Sequence, residues 1–219
     1  LKSKQTLHIA VAGNIGAGKT TLVKKLAAYY GWQAHLEAVE HNPYLEDFYL
    51  DMTKWAFPLQ IYFLNSRFNQ VKAIRNSSNT IIQDRTIYED AYIFAKNLKE
   101  SGYLSERDFE TYFSLFQSMS NMIRPPDLLI YLKANISKLI EQISRRGRKY
   151  ETSISIRYLE DLNRNYEDWI SAYRGGNLLV LEVDNLNYVD RQADFEFVID
   201  KIDEQLAVKQ FVAKQQNVQ

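Results

Sequence analysis

The stretch Leu7-His8-Ile9-Ala10-Val11-Ala12-Gly13-Asn14-Ile15-Gly16-Ala17-Gly18-Lys19-Thr20-Thr21 decides the fold. A mostly apolar run of strand length, 7–12, enters a glycine-rich turn. A helical pattern follows, with Leu22 and Leu26 on one face and Lys24 and Lys25 facing out. The turn reads G-x-x-x-x-G-K-T, a loop whose successive N–H groups cradle phosphate. Glycines at 13, 16 and 18 permit backbone angles and close approaches that a side chain blocks. The helix opening at Lys19 adds its positive end, and the Lys19 ammonium reaches the outer phosphates of a nucleotide. The Thr20 hydroxyl is left for Mg²⁺. Gly13, Asn14, Ile15, Gly16, Ala17, Gly18, Lys19, Thr20 and Thr21 are therefore the expected nucleotide-binding residues. A glycine turn after a strand is more often structural than functional; the complete motif between strand and helix favours phosphate.

The chain of 219 residues is 46% apolar and 25% charged, which suits one domain with a sizeable core, taken as residues 1–219. Lysine plus arginine equals aspartate plus glutamate at 27 each, so no nucleic-acid surface or acidic tail is expected and any cationic chemistry must be local. Cysteine is absent, which excludes disulfides, thiolate metal sites and a cysteine nucleophile. No run approaches the ~20 apolar residues that span a bilayer, and no signal-peptide pattern opens the chain. The expectation is a cytoplasmic protein with no membrane contact.

Working outward, five segments read as buried strands: 7–12, 33–37, 79–83, 127–132 and 178–183. Helical patterns separate them, so the expected fold is α/β, of the P-loop NTPase kind: a five-stranded parallel sheet with helices on both faces. Ligands in such sheets collect at the carboxyl ends of the strands, which directs attention to Gly13 onward, to Glu37–Glu40 and to Asp84-Arg85. A long helix is expected over 55–76 and another over 105–123. Both are apolar on more than one face, as two core helices would be, or as helices lending part of their surface to a homodimer. Further helices are expected over 135–146, over 154–173 ended by Gly175-Gly176, and over 188–208, followed by a polar tail.

The loop implies a nucleoside triphosphate without saying what is done with it. The D-x-x-G and N-K-x-D tetrapeptides of a GTPase do not occur. The third strand ends in Asp84-Arg85-Thr86, where a carboxylate for Mg²⁺ is common; Arg85 could be a surface residue, but its place at the ligand edge favours a role in the site. Arg145, Arg146 and Arg148 cluster around Gly147. A basic helix end is usually a solvated cap. Phosphoryl transfer, however, needs cations around the moving group, and a mobile arginine-rich lid closing over phosphates also excludes water.

These residues carry a family resemblance. The chain resembles the deoxyribonucleoside kinases of the deoxycytidine, deoxyguanosine and deoxyadenosine kinase type over nearly its whole length. The shared pattern is the loop Gly13–Thr21, Glu37-Ala-Val, Trp55-Ala-Phe-Pro-Leu-Gln60 with Arg67, Asp84-Arg-Thr-Ile-Tyr-Glu-Asp90 with Phe94, Arg146-Gly-Arg148 with Glu151, and Tyr158-Leu-Glu160. The resemblance implies ATP and Mg²⁺ as cofactors, a small deoxynucleoside as substrate and a homodimer. It implies Glu37 as general base at the 5′-hydroxyl, with Asp84 the other acidic candidate, for the proton or for Mg²⁺ together with Thr20. It places Arg85 at the 5′-hydroxyl, Tyr49 and Glu151 on the sugar 3′-hydroxyl, and Arg146 and Arg148 on the transferred phosphoryl group.

Gln60, Arg67 and Asp90 form the implied base-reading set, walled by Phe94, Leu45 and Phe63. Retention of Arg67 and Asp90 resembles purine- and cytosine-accepting members more than thymidine kinases. Asn42-Pro-Tyr-Leu-Glu-Asp-Phe-Tyr49 resembles the bacterial deoxyadenosine and deoxyguanosine kinases, so the expected substrate is a purine deoxynucleoside, deoxyadenosine ahead of deoxyguanosine. The alternative is a deoxycytidine-preferring or broad-range kinase. Gln142 stands where animal members carry a lid arginine, Arg145 is extra, and His8, His35 and His41 match no role. A thymidylate or other nucleoside monophosphate kinase shares the loop, the Asp-Arg pair and a lid; Gln60 and Glu151 suit a neutral nucleoside better. A non-catalytic nucleotide-binding protein would need neither the strand-end acids nor the lid.

Overall fold

Strands that are apolar on both faces must be covered on both faces, and the centre of the sheet follows from that. The computed structural model describes residues 6–36, 42–148, 151 and 154–216, with side chains through 207. Five strands, β1 (His8–Gly13), β2 (Gln33–His35), β3 (Ile81–Asp84), β4 (Leu128–Lys133) and β5 (Asn177–Glu182), form one parallel sheet in the order β2-β3-β1-β4-β5. Ile9 to Ala12, Ile81, Ile82 and Leu128 to Leu132 are at most 2% exposed. The edge strands are wetter: Gln33 and Ala34 are exposed on one side and Val180 on the other. From β1 the chain goes to one side of the sheet for β2 and β3, then to the other for β4 and β5, so a crevice opens at the carboxyl ends of the central strands.

The helices are α1 (Lys19–Tyr30), α2 (Leu45–Leu50), α3 (Met52–Arg75), α4 (Ile87–Glu89), which runs through a π-helical turn (Asp90–Ala95) into α5 (Lys96–Glu100), then α6 (Glu106–Ser120), α7 (Ile136–Arg146), α8 (Ile156–Ser171) and α9 (Gln192–Gln216). Asp51, Ser105, Asn135 and Ser155 cap α3, α6, α7 and α8 by accepting a backbone N–H three residues on. These caps set the boundaries. Helix α3 starts at Met52 rather than 55 because Asp51 supplies the acceptor, and it accommodates Pro58 in its second turn. Helix α8 stops at Ser171, before Gly175-Gly176, because the Ala172 N–H closes back on Asp168. Helix α9 begins at Gln192 and continues to Gln216, beyond the expected 208. Strand β2 ends at His35, two residues short of the expectation, while β3 extends to Asp84 by pairing with Val11.

The apolar residues of α3 divide between two cores, as its all-round pattern requires. Leu59 and Phe63 join the cluster on the sheet, whereas Leu64 and Val71 join a second one with Ile87, Tyr112 and Phe116 of the α4–α6 layer. No described helix is long and apolar enough to cross a membrane.

The glycine loop is pinned against α7. A Cβ on Gly16, whose φ is +85°, would lie 2.8 Å from the Leu139 carbonyl oxygen and 2.9 Å from the Ile143 side chain. Gly102 also has positive φ, at +76°, but faces open space. Gly102→Ala is therefore expected to cost about 1 kcal/mol of backbone strain. Gly16→Ala should cost about 1–3 kcal/mol more through overpacking. Paired thermal melts measure this, and equal losses in the two variants would show that the loop does not depend on close contact with α7.

Candidate active site

The chain leaves β1 and β3 through two irregular turns at neighbouring strand ends, and both turns converge on one cavity of about 600 Å³. Its walls include Gly16, Gly18, Lys19, Thr20 and Thr21 of the loop, Leu36, the α2 residues Leu45, Phe48 and Tyr49, the α3 residues Leu59, Gln60 and Phe63, and Arg85, Asp90 and Phe94. Gln142, Arg145, Arg146, Arg148, Glu151 and Tyr158 close the remaining side. Most residues expected in the site are thus brought together. Arg67 is not on the wall; it is paired with Asp90, which is. Gly13, Asn14, Ala17 and Asp84 are likewise off the wall. Glu37 lies outside the described residues, as does His41.

Within the loop, the Lys19 Nζ donates to the carbonyl oxygens of Gly13 at 2.7 Å and Asn14 at 2.9 Å, which lays the ammonium across the loop. The buried Asn14 side chain ties the loop to α8, donating to the Leu159 carbonyl oxygen at 3.0 Å and to Asn163 Oδ1 at 2.6 Å. Thr20 Oγ1 donates to Asp84 Oδ2 at 2.5 Å. Asp84 Oδ1 is buried and has no hydrogen-bond partner among the described residues. An unsatisfied carboxylate oxygen beside a hydroxyl is a hard-oxygen donor set that fits Mg²⁺, a cation that keeps most of its ligands as water and phosphate. Consistent with so sparse a set, the described residues contain no cluster of three or more His, Cys, Asp or Glu placed to hold a metal.

Arg85 is the one described non-glycine residue with positive φ, at +68°. Such strain persists only where the surroundings hold it. Here the Arg85 N–H donates to the Val11 carbonyl oxygen at 3.0 Å, and the guanidinium lies 4.1 Å from the centre of the Phe94 ring. The π-helical turn carries Asp90 and Phe94 together onto the cavity wall. Such turns concentrate at functional sites. Arg67 Nε lies 3.5 Å from Asp90 Oδ2, both residues being 1% exposed. Gln60 is 3% exposed, and its buried Oε1 has no hydrogen-bond partner among the described residues.

The arginine segment is not free. Glu151, buried at 4% exposure, accepts from Arg146 Nε at 3.0 Å and Nη2 at 2.5 Å, and from Arg148 Nη1 at 3.4 Å. Expected sugar and phosphoryl ligands therefore hold one another. Arg145 turns to Gln142 Oε1 at 2.7 Å.

Glu89 and Tyr166 were not singled out from the sequence, yet they join the two turns. Glu89 Oε2 accepts from the Thr86 N–H at 2.7 Å and hydroxyl at 3.1 Å, while Oε1 accepts from the Gly13 N–H at 3.3 Å. Thr86-x-x-Glu89 is a capping box, and that pattern was the signal available. Tyr166 Oη stands 2.8 Å from both the Gly13 carbonyl oxygen and Glu89 Oε1. A hydroxyl has one proton and a carbonyl has none to give, so both contacts are hydrogen bonds when Glu89 itself is protonated. Burial pushes the Glu89 carboxyl above its ordinary range, against the opposing pull of Arg85 and Lys19.

A carboxyl raised on folding stabilises below its unfolded pKa and loses that contribution as pH rises through its folded pKa. Glu89→Gln keeps an acceptor for Thr86 and a donor for Tyr166 without ionising. Its Nε2 can no longer accept from the Gly13 N–H, so the variant should melt below the parent near pH ~4.5 and gain on it as pH rises towards ~8. Melting temperatures across that range measure the difference. A variant that instead falls behind as pH rises would show Glu89 working as an anion.

Comparison with known proteins places these features in one family. The family profile described as deoxynucleoside kinase matches residues 9–207. A deoxyadenosine/deoxycytidine kinase of Bacillus subtilis is 41% identical over 89% of this chain and 90% of its own. A deoxyadenosine kinase of Dictyostelium discoideum is 47% identical over 77% of this chain and 69% of its own. Among solved structures, deoxyadenosine kinase from M. mycoides with bound dCTP superposes with a TM-score of 0.78 at 31% identity, covering 90% of this chain and 100% of that one. With the family pattern running through residues 9–207, the protein belongs to the deoxynucleoside kinase family and is a phosphotransferase.

Proposed function

We propose that the protein transfers the γ-phosphoryl group of ATP to the 5′-hydroxyl of deoxynucleosides in salvage, with a broad range that takes deoxyadenosine and deoxycytidine. The observation that carries this reading is the buried Gln60 Oε1, without a hydrogen-bond partner among the described residues, in a cavity that Asp90 also lines. Adenine and cytosine each present an amino donor next to a ring-nitrogen acceptor, and an amide satisfies that pair with its own oxygen and nitrogen. Asp90, oriented by Arg67, offers a second acceptor to an amino group and opposes the carbonyl that guanine or thymine would place there. A purine-only range with deoxyguanosine second, the expectation from sequence, has less support. The Bacillus relative is named for deoxyadenosine and deoxycytidine, and the mycoplasma enzyme named for deoxyadenosine was solved with dCTP, both favouring the broad-range alternative.

In this reading residues 1–219 act as one catalytic domain, and the loop 13–21 with Lys19 holds the donor phosphates. Thr20 and Asp84 hold Mg²⁺, which neutralises phosphate charge when bound. Engagement of Asp84 with the Thr20 hydroxyl supports its place near the metal and leaves Glu37 as the proton acceptor. Tyr49 and Glu151 orient the sugar. When Glu151 accepts the 3′-hydroxyl, Arg146 and Arg148 are released to close on the transferred group and exclude water. The homodimer is retained in the proposal, supported by the exposed Leu115 on α6 and Met122 just beyond it.

Steady-state rates on the four deoxynucleosides and thymidylate with Mg·ATP are the test. Comparable kcat/KM on deoxyadenosine and deoxycytidine, each well above thymidine, is the expected outcome, and activity on thymidylate alone would overturn the acceptor site. Glu37→Gln should lower kcat by about 10²–10⁴-fold with deoxynucleoside binding retained. An unchanged kcat would move the base role to Asp84. The double variant Arg67→Met with Asp90→Ala removes both buried charges together and should raise relative activity on thymidine.

A further inference from the structure

One half-buried side chain outside the cavity wall hydrogen-bonds to α3, to β3 and to the residue that follows β2. Gln70 lies one helical turn after Arg67 on α3. Its Oε1 accepts from Arg67 Nη1 at 3.3 Å and from Gln83 Nε2 at 3.2 Å, and its Nε2 donates to the Leu36 carbonyl oxygen at 3.1 Å. Two donors on one side and a carbonyl on the other fix which way the amide points; the flipped orientation would oppose all three.

The chain of contacts continues on both sides. Gln83 is fully buried on β3, directly before Asp84 and Arg85, and its Oε1 meets His8 Nε2 at 2.9 Å. The His8 ring, held towards its neutral form by burial, anchors the Gln83 amide so that its Nε2 faces Gln70. On the other side Leu36, whose carbonyl Gln70 holds, is itself on the cavity wall and directly precedes Glu37 in the chain. Arg67 is ion-paired with Asp90, which lines the cavity.

We propose that Gln70 is a positioning residue that couples base recognition to the catalytic ends of β2 and β3. Its amide holds Arg67, the β3 residue before Asp84 and the backbone of Leu36 in a single register. A base that seats correctly against Gln60 and Asp90 keeps Arg67 in place, and through Gln70 the same geometry is imposed on Leu36 and on the approach to Asp84-Arg85. A base that displaces Arg67 loosens the catalytic edge as well, so discrimination enters kcat and not only KM. The inference rests on the reading of Arg67 and Asp90 as base-recognising residues.

Two substitutions at this half-buried position separate coupling from mere support. Gln70→Met keeps the length of the side chain and removes every polar contact. It should lower kcat on deoxyadenosine about 10–100-fold, by misplacing groups at the strand ends, and shrink the preference for deoxyadenosine over thymidine. The KM for ATP should stay within about twofold. Gln70→Glu keeps an acceptor for Arg67 and Gln83 but opposes the Leu36 carbonyl, so kcat should fall while the preference is kept. Folded Gln70→Met with kcat and preference both within about twofold of the parent would overturn the inference, as would a loss of rate no larger than its loss of folded fraction. The double variant Arg67→Met with Asp90→Ala, run alongside, separates the two ideas. If it shifts the base profile while Gln70→Met does not, only the coupling fails. If it leaves the profile unchanged, the base-reading assignment fails with it.

Discussion

The two turns that make the cavity depend on one buried carboxyl group. Parallel strands satisfy their own N–H groups along the ladder, but a chain that turns sharply at the end of β1 and again at the end of β3 takes those groups off it. Gly13, at φ +151°, and Arg85, at φ +68°, mark the two departures. Buried N–H groups left unmade cost about 1–3 kcal/mol each, so the turns need an acceptor from elsewhere. Glu89 supplies it to Gly13 and Thr86 together, and Tyr166 of α8 closes the remaining side. Loop, strand-three turn and α8 are thereby fixed to one another before any ligand arrives. The strained backbone of Arg85 can persist because its neighbours on both sides are held.

The general architecture was readable because it rests on local patterns. Strand β1 and the helix after it announce themselves by an apolar run, three glycines and a helical repeat, and the sheet follows from the alternation of such segments. Arg85 was picked out by its position at a strand end, Arg146 and Arg148 by their clustering, and Gln60, Asp90 and Glu151 by family resemblance; all of them line the cavity. What was not readable depends on contacts far apart in the chain. Gln70 looks like a surface residue of a long helix until Leu36 and Gln83 are seen beside it, 34 and 13 residues away. Helix α2 has too few residues for its period to show, and a π-helical turn has no sequence signature separate from that of the α-helix that contains it. The mutual capture of Arg146, Arg148 and Glu151 was hidden for another reason: the two arginines had been assigned to the transferred phosphoryl group and Glu151 to the sugar.

The polar interior is unfavourable for stability, and its arrangement is informative for that reason. Arg67 and Asp90 form an ion pair at 1% exposure, and a buried pair of this kind is commonly no better for stability than apolar residues of the same volume. Leu59, Phe63, Leu64 and Val71 of the helix that carries Arg67 all join the apolar cores instead. Gln60 Oε1 and Asp84 Oδ1, both buried, have no hydrogen-bond partner among the described residues. Packing has no use for any of these groups, and buried polar atoms left unpaired in this way call for an explanation other than stability.

Charge completes the same argument. Over the chain as a whole, positive and negative side chains cancel at 27 each. At the cavity they do not: Lys19, Lys24, Arg85, Arg145, Arg146 and Arg148 face it, against Asp90 and Glu151. The excess is carried by the loop, Arg85 and the arginine segment, while the wall given by α2 and α3 is apolar apart from Gln60 and the Tyr49 hydroxyl. A cavity divided in this way accepts a polyanion at one end and a neutral, flat group at the other. Glu151 neutralises only part of the guanidinium charge gathered on it. An incoming phosphate can draw on the charge that Glu151 leaves uncompensated.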